Sequence, residues 1–419
     1  MKLIRTYGRT AQTAAAAIDS LEQRGSVSTA SVEPIVRAIL SAIRKRGDKA
    51  LLEYATKFDA LQKGQPILVS QEEMQQAWDA LDAKLQQAMR TAQANIRAFA
   101  EAQKSEEWTL TNSDGVTTGQ IVRPLASVGC YVPGGRYPLP STLLMTTTPA
   151  RVAGVERIVV CSPNPAKETL AAAHLAGVTE FYRIGGAQAI AALAYGTTTI
   201  QPVNKIVGPG NLYVTAAKQL VSTVCGIDMP AGPTEIVVTS ETGKPADIAA
   251  DLVAQAEHDP ETLAVFITTS EALGKQVAAE VKFQAKSNPL AKLSIAARGH
   301  IFVTKTVTEA RELTNRLAPE HLTVDTLADL NWVQNAGSVF VGPWSPQAMG
   351  DYVSGPNHVL PTGRNGRIRG GLSVMDFLKV ITVQQYTRKG LKSLGPHAAA
   401  LADAEGLTGH AASVRMRMK

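Results

Sequence analysis

Cysteine is scarce in this chain. Only Cys130, Cys161 and Cys225 occur among 419 residues. Their number is odd, and their spacing fits neither a zinc knuckle nor a CxxC redox pair. A disulfide framework is therefore excluded, and a reducing, cytoplasmic setting is expected. Cys161 closes the apolar run Ile158-Val159-Val160 and reads as core, while Cys130 has no base beside it in sequence. Aromatic residues make up 5% of the chain, too few for a base-stacking platform. Lys plus Arg exceed Asp plus Glu by only 42 − 36 = 6. That excess is scattered, with small clusters at Arg44-Lys45-Arg46 and across 364–369, so no nucleic-acid partner is expected. No apolar run approaches the roughly 18 residues of a membrane span, and the first seven residues lack the apolar core of a signal peptide. Neither G-x-G-x-x-G nor a Walker lysine is present.

What is present reads as a globular α/β protein. The hydrophobic fraction is 45% and the charged fraction 19%. At this length two or more domains are expected. The first hundred residues read as helices. Val32, Ile35, Val36, Ile39, Leu40 and Ile43 recur at helical spacing, Gly47 breaks that helix, and Asp48 is a candidate cap for another reaching Phe58. Ser70-Gln71-Glu72-Glu73 has the form of a capping box opening one long helix to about Gln103. From Gly115 onward short β-branched runs alternate with helical patterns. Strands are expected at 127–132, 157–161, 180–184, 205–207, 235–239, 263–268, 300–303 and 338–341. Helices are expected at 142–154, 187–195, 212–224, 245–258 and 307–317. Such alternation implies βαβ units and parallel sheet. Pro230-Ala231-Gly232-Pro233 marks a crossing between domains, and two similar βαβ halves are possible without a visible repeat. After Val374 the tail reads as helix, broken at Pro396 and Gly406.

The residues fit for chemistry lie in loops. Segment 350–362 carries Asp351 and His358 on either side of Ser354-Gly355-Pro356-Asn357, a run of turn formers that excludes a helix interior. Both side chains can bind a metal or move a proton. Gln255 and His258 are three apart at a helix end and share one face. Alone the pair is weak, but Asp351 and His410 are candidates to complete an all-N/O site for zinc or a similar ion. Glu320 and His321 follow Pro319 and are expected in a loop, where they offer two bases of different strength. Three glycine loops, at 131–135, 184–188 and 207–211, stand at strand-to-helix turns, where α/β sheets bind nucleotides. His174, His300 and His397 lack companion acids and read as structural.

Together these motifs resemble the histidinol dehydrogenase family. The glycine loops and segments 254–260, 318–322, 350–362, 371–377 and 405–411 occur in family order, and the match covers about residues 31–415. The resemblance implies two incomplete Rossmann-like parallel-sheet domains with helical N- and C-terminal segments. It divides the chain into an N-terminal segment 1–28, a larger domain 29–127 plus 238–372, a second domain 128–237 carrying the cofactor loops, and a tail 373–419. It implies NAD-dependent oxidation of L-histidinol to L-histidine through L-histidinal, with two NAD and one Zn2+ per subunit. Gln255, His258, Asp351 and His410 would hold the zinc. Glu320 and His321 would be the bases, and Tyr131, Gln188 and Asn211 would contact NAD. Thr234, His358 and Glu405 would contact substrate, together with His321 and the zinc ligands. The implied assembly is a homodimer in which the tail of one chain, with Glu405 and His410, completes the site of the other. Thr234 stands where the family usually has serine; it keeps the hydroxyl and adds a methyl group. Related enzymes acting on other small amino alcohols or diols, and a non-catalytic NAD- or metal-binding relative, are the alternatives.

Overall fold

The computed structural model describes residues 1–24, 29–134, 137–230 and 232–419. Gly135, Ala231 and the expected boundary at residue 28 lie outside the described residues. Two six-stranded sheets organise the chain. In the first, the order is Lys2–Arg5, His300–Val303, Leu263–Thr268, Glu235–Thr239, His321–Val324 and Ser338–Val341, all parallel. In the second it is Leu68–Val69, Glu180–Tyr182, Arg157–Cys161, Ser127–Tyr131, Lys205–Val207 and Gly226–Ile227, all parallel except the first.

Both sheets share one topology. The earliest strand of each βαβ run lies inside the sheet. Two later strands add on one side, and the last two add on the other. Each sheet thus has a switch point where the chain reverses its direction of growth, the place where α/β sheets open a crevice. Each is buried on both faces. In the first sheet Val265, Ile267 and Phe302 join one apolar cluster while Ala264, Phe266 and Ile301 join another, the period-two alternation of strand side chains. Phe266 and Phe302 are fully buried, and truncating either to Ala would cost about 3–5 kcal/mol.

Several expectations need correction. The long helix at 71–103 is two helices, Gln71–Asp79 and Ala83–Ala102, because the Asp82 side chain accepts from Leu85 N–H and caps the second. Ser70 caps the first, but Glu73 reaches Arg183 instead of closing the box. Gly47, not Asp48, occupies the cap before Asp48–Phe58; the Asp48 carboxylate accepts from Thr199. Ile35 is exposed beside the otherwise buried face of Glu33–Arg46. The N-terminal segment opens with an edge strand, Lys2–Arg5. After a single 3-10 turn at Val374–Phe377, the tail runs as a nine-residue strand, Leu378–Tyr386, rather than a helix. That strand pairs antiparallel with Val116–Pro124, which also pairs with Trp108–Thr111. Pro396 lies inside the helix Arg388–Ala404, which packs against Thr408–Met418 and continues through the lost N–H.

Candidate active site

The first sheet presents its reactive groups at the amino ends of two neighbouring strands. Ile236 and His321 are register partners, so Thr234, Glu235, Glu320 and His321 converge where these strands begin. His321 opens the strand His321–Val324 and is not in a loop as expected; a four-residue strand starting two residues after a proline leaves little pattern to read. Pro319 ends the preceding turn, and Ala318 sits in the left-handed region at the end of Val307–Leu317.

Glu320 and His321 are both buried. The Glu320 Oε2 accepts from the Glu235 N–H at 2.9 Å and lies 2.6 Å from the Thr234 hydroxyl. That hydroxyl is also 3.2 Å from Gln255 Oε1. The Thr234 hydroxyl thus sits between two acceptors, with the shorter contact to Glu320. Burial raises the Glu320 carboxyl.

His321 Nδ1 lies 3.1 Å from the Glu235 carbonyl, which can only accept, so Nδ1 carries hydrogen. Nε2 is left as the basic nitrogen. It is buried without a hydrogen-bond partner, 3.7 Å from Asp351 Oδ1. Burial works against charge on this ring, but the carboxylates of Glu320 and Asp351 outweigh it and raise its affinity for a proton. At Asp351 burial favours the neutral acid, yet the imidazoles of His321, His358 and His258 hold the carboxyl below its ordinary range. A cavity of about 490 Å³ opens here, lined by His321, Asp351, His358, Phe340 and Trp344.

The loop 350–362 is partly helical, another correction. Gly350 and Asp351 lie in the short helix Gln347–Tyr352, and the turn begins beyond it, with Gly355 at φ +106°. His358 donates from Nδ1 to the Asp351 carbonyl at 2.7 Å, and its Nε2 lies 3.1 Å from Thr142 Oγ1. Asn357 donates to the Met145 carbonyl at 2.6 Å. Both Thr142 and Met145 belong to the helix Pro140–Ala153, so this loop ties the first sheet's site to the flank of the second sheet. Thr142 was invisible to sequence reasoning because nothing in a Thr-rich helix marks one hydroxyl.

Gln255 donates to Asp351 Oδ2 at 3.4 Å, and His258 is exposed but near enough for its charge to act on Asp351. These three bring nitrogen and oxygen donors to one place. His410 and Glu405 do not join them; both are exposed on the C-terminal helical hairpin. Among the described residues no cluster of three or more His, Cys, Asp or Glu is close enough to hold a metal within this single chain. The donor set therefore fits a divalent ion only in part.

At the second sheet, the loops after Ser127–Tyr131 and Lys205–Val207 flank the switch point, the position a dinucleotide takes in such folds. Tyr131 is buried, and its hydroxyl accepts from the Gly186 N–H at 3.1 Å. Gln188 is buried and donates to Asp59 at 3.0 Å. Asn211 is exposed and caps Leu212–Val221, accepting from the N–H groups of Tyr213 and Val214. Asp59 also accepts from Gly185 N–H, and burial raises its carboxyl. It carries no motif that could have announced it.

The sequence profile for histidinol dehydrogenase matches residues 22–418. The chain is 48% identical over 394 residues to a histidinol dehydrogenase of Geobacillus kaustophilus, covering 91% of this chain and 92% of the relative. It is 44% identical to one of Methanothermobacter thermautotrophicus, covering 96% and 97%. A crystal structure of histidinol dehydrogenase from Elizabethkingia anophelis superposes with a TM-score of 0.93 at 35% identity, covering 100% of this chain and 98% of that one. A double parallel-sheet chain with these relatives is an oxidoreductase of the dehydrogenase class. It belongs to the histidinol dehydrogenase family. No helix among the described residues is long and apolar enough to cross a membrane.

Proposed function

We propose that this chain oxidises L-histidinol to L-histidine through L-histidinal, as a cytoplasmic enzyme of histidine biosynthesis. The observation that carries this reading is the buried Glu320–His321 pair, with an unpartnered imidazole nitrogen aimed beside Asp351. Going from alcohol to carboxylate removes two hydrides and adds one water, so protons must leave more than once at one place. Bound NAD would accept each hydride, and bound zinc would hold the imidazole and amine of the substrate while engaging Asp351. His321 Nε2 takes the alcohol proton. Glu320, linked through Thr234 to Gln255, then acts with His321 to draw a proton from the water that hydrates the aldehyde. Tyr131, Gln188 and Asn211 are the residues assigned to NAD.

Gln255, His258 and Asp351 would supply three zinc ligands from one chain. The fourth, His410, with Glu405 for the substrate, would come from a second copy. Two features support this. The strand Leu378–Tyr386 is exposed almost throughout, with Val380, Ile381, Val383 and Tyr386 open to solvent beside Trp108 and Leu110. Trp344, at the mouth of the site cavity, is 89% exposed. Apolar surface of this extent marks a contact face.

Purified protein supplied with L-histidinol and NAD should yield about two NADH per histidine. A ratio near one, with aldehyde accumulating, would remove the second oxidation. No NADH from histidinol but turnover of another amino alcohol would move the substrate and keep the class.

A further inference from the structure

We infer that the buried Lys218–Asp228 ion pair is a positioning device that sets the shape of the NAD crevice by gripping Gly208. This rests on the reading of Asn211 and Tyr131 as cofactor contacts.

Lys218 lies on Leu212–Val221, the helix that Asn211 caps, and Asp228 follows the edge strand Gly226–Ile227. Their side chains are 2% and 0% exposed and form an ion pair. Both also hold one glycine. Lys218 Nζ donates to the Gly208 carbonyl at 2.9 Å, and Asp228 Oδ2 accepts from the Gly208 N–H at 2.8 Å. Asp228 Oδ1 accepts in addition from the Met229 N–H at 2.6 Å. Gly208 is the first residue beyond Lys205–Val207, at the switch point of the second sheet. Its φ is +115°, and a Cβ there would lie 2.1 Å from the Tyr131 carbonyl oxygen. The two cofactor loops therefore meet at one backbone contact, and the buried pair fixes it from behind.

Stability alone does not account for the pair. Two charges taken out of water lose about as much as their attraction returns, and neutral side chains of similar volume often stabilise as well. Apolar replacements cannot supply two directed bonds to the N–H and C=O of one glycine. Asn211 is three residues further on, so a tilt of the Gly208 peptide moves the side chain assigned to NAD.

The test compares two double variants with wild type. Lys218→Met with Asp228→Asn leaves no unpaired charge and keeps an acceptor for Gly208 N–H at the expense of the one for Met229 N–H, but removes the donor to the Gly208 carbonyl. Lys218→Gln with Asp228→Asn restores that donor without charge. NADH affinity is read by calorimetry, L-histidinol affinity separately, and folding by thermal melting. The Met/Asn chain should fold, bind NADH on the order of tenfold more weakly, and bind histidinol as wild type does; the Gln/Asn chain should recover most of the NADH affinity. Unchanged NADH affinity in a folded Met/Asn chain overturns the inference. So does equal weakening for NADH and histidinol, or failure of the Met/Asn chain to fold, since the pair would then serve the fold generally. If wild type itself binds no NADH, the cofactor reading fails rather than the clamp.

Discussion

The two large sheets have the same strand order and gather their candidate groups at opposite ends. In the second, the glycine loops at the carboxyl ends flank the switch point, and Gly208 packs directly on Tyr131. In the first, the equivalent crevice is closed by the chain itself. Asp325, after His321–Val324, accepts from Ser240 Oγ at 2.5 Å and from the N–H groups of Glu241 and Thr242. Glu241 in turn accepts from the N–H and hydroxyl of Thr269. The donors that could receive an anion are already satisfied there. The candidate catalytic groups Thr234, Glu320 and His321 gather instead at the amino ends. Strand order locates two crevices; the side chains beside them decide which one stays open.

The largest effect should come from His258→Ala. Loss of one of the three ligands proposed from this chain should remove metal on dialysis, measured by elemental analysis, and lower turnover by at least about a hundredfold. Retained metal at wild-type content would take His258 out of the metal site and leave the first sheet with a different division of labour.

A mixing experiment asks whether the amino-end site is completed by a second chain. His321→Asn and His410→Asn chains should each be nearly inactive. Unfolded and refolded together at equal amounts, they should form hybrids with one intact site, recovering about a quarter of wild-type turnover on statistical pairing. No recovery in verified hybrids would mean that His321 and His410 serve from the same chain.

Thr234→Val should lower turnover about 10- to 100-fold, because it strips the hydroxyl shared by Glu320 and Gln255 and leaves buried acceptors unpaired. Thr234→Ser should restore it. Equal turnover in all three chains would dismiss the relay.

The smallest effect on activity belongs to Asp325→Asn. Weakening the plug of the first crevice should cost about 1–2 kcal/mol of stability in denaturant titration, with KM for NAD changed by less than about twofold. A large rise in KM for NAD would show that the first crevice takes part in cofactor binding, and the contrast between the sheets would fall.

Much of the fold was legible because buried parallel strands are continuous β-branched runs. Arg157–Cys161, Glu235–Thr239 and Leu263–Thr268 were bounded correctly for that reason. Other strands escaped notice, Leu378–Tyr386 among them despite its β-branched run Val380-Ile381-Thr382-Val383. Val116–Pro124 and Leu378–Tyr386 are half polar and find each other across more than 250 residues, information that no local window holds. The site followed the same division. Gln255, His258, Glu320, His321 and Asp351 stood out by residue type and neighbouring turns. Asp59, Thr142, Lys218 and Asp228 did not, because their roles exist only once distant segments meet.

His321→Asn tests the central claim most directly, since it deletes a base without deleting a proposed ligand. Measured on one sample for metal content, NADH affinity and turnover of L-histidinol, this chain should keep its metal and its NADH affinity. Its kcat should fall on the order of 10²–10⁴-fold. A kcat near wild type, with metal and fold intact, would contradict the assignment of the base at the amino ends of the first sheet.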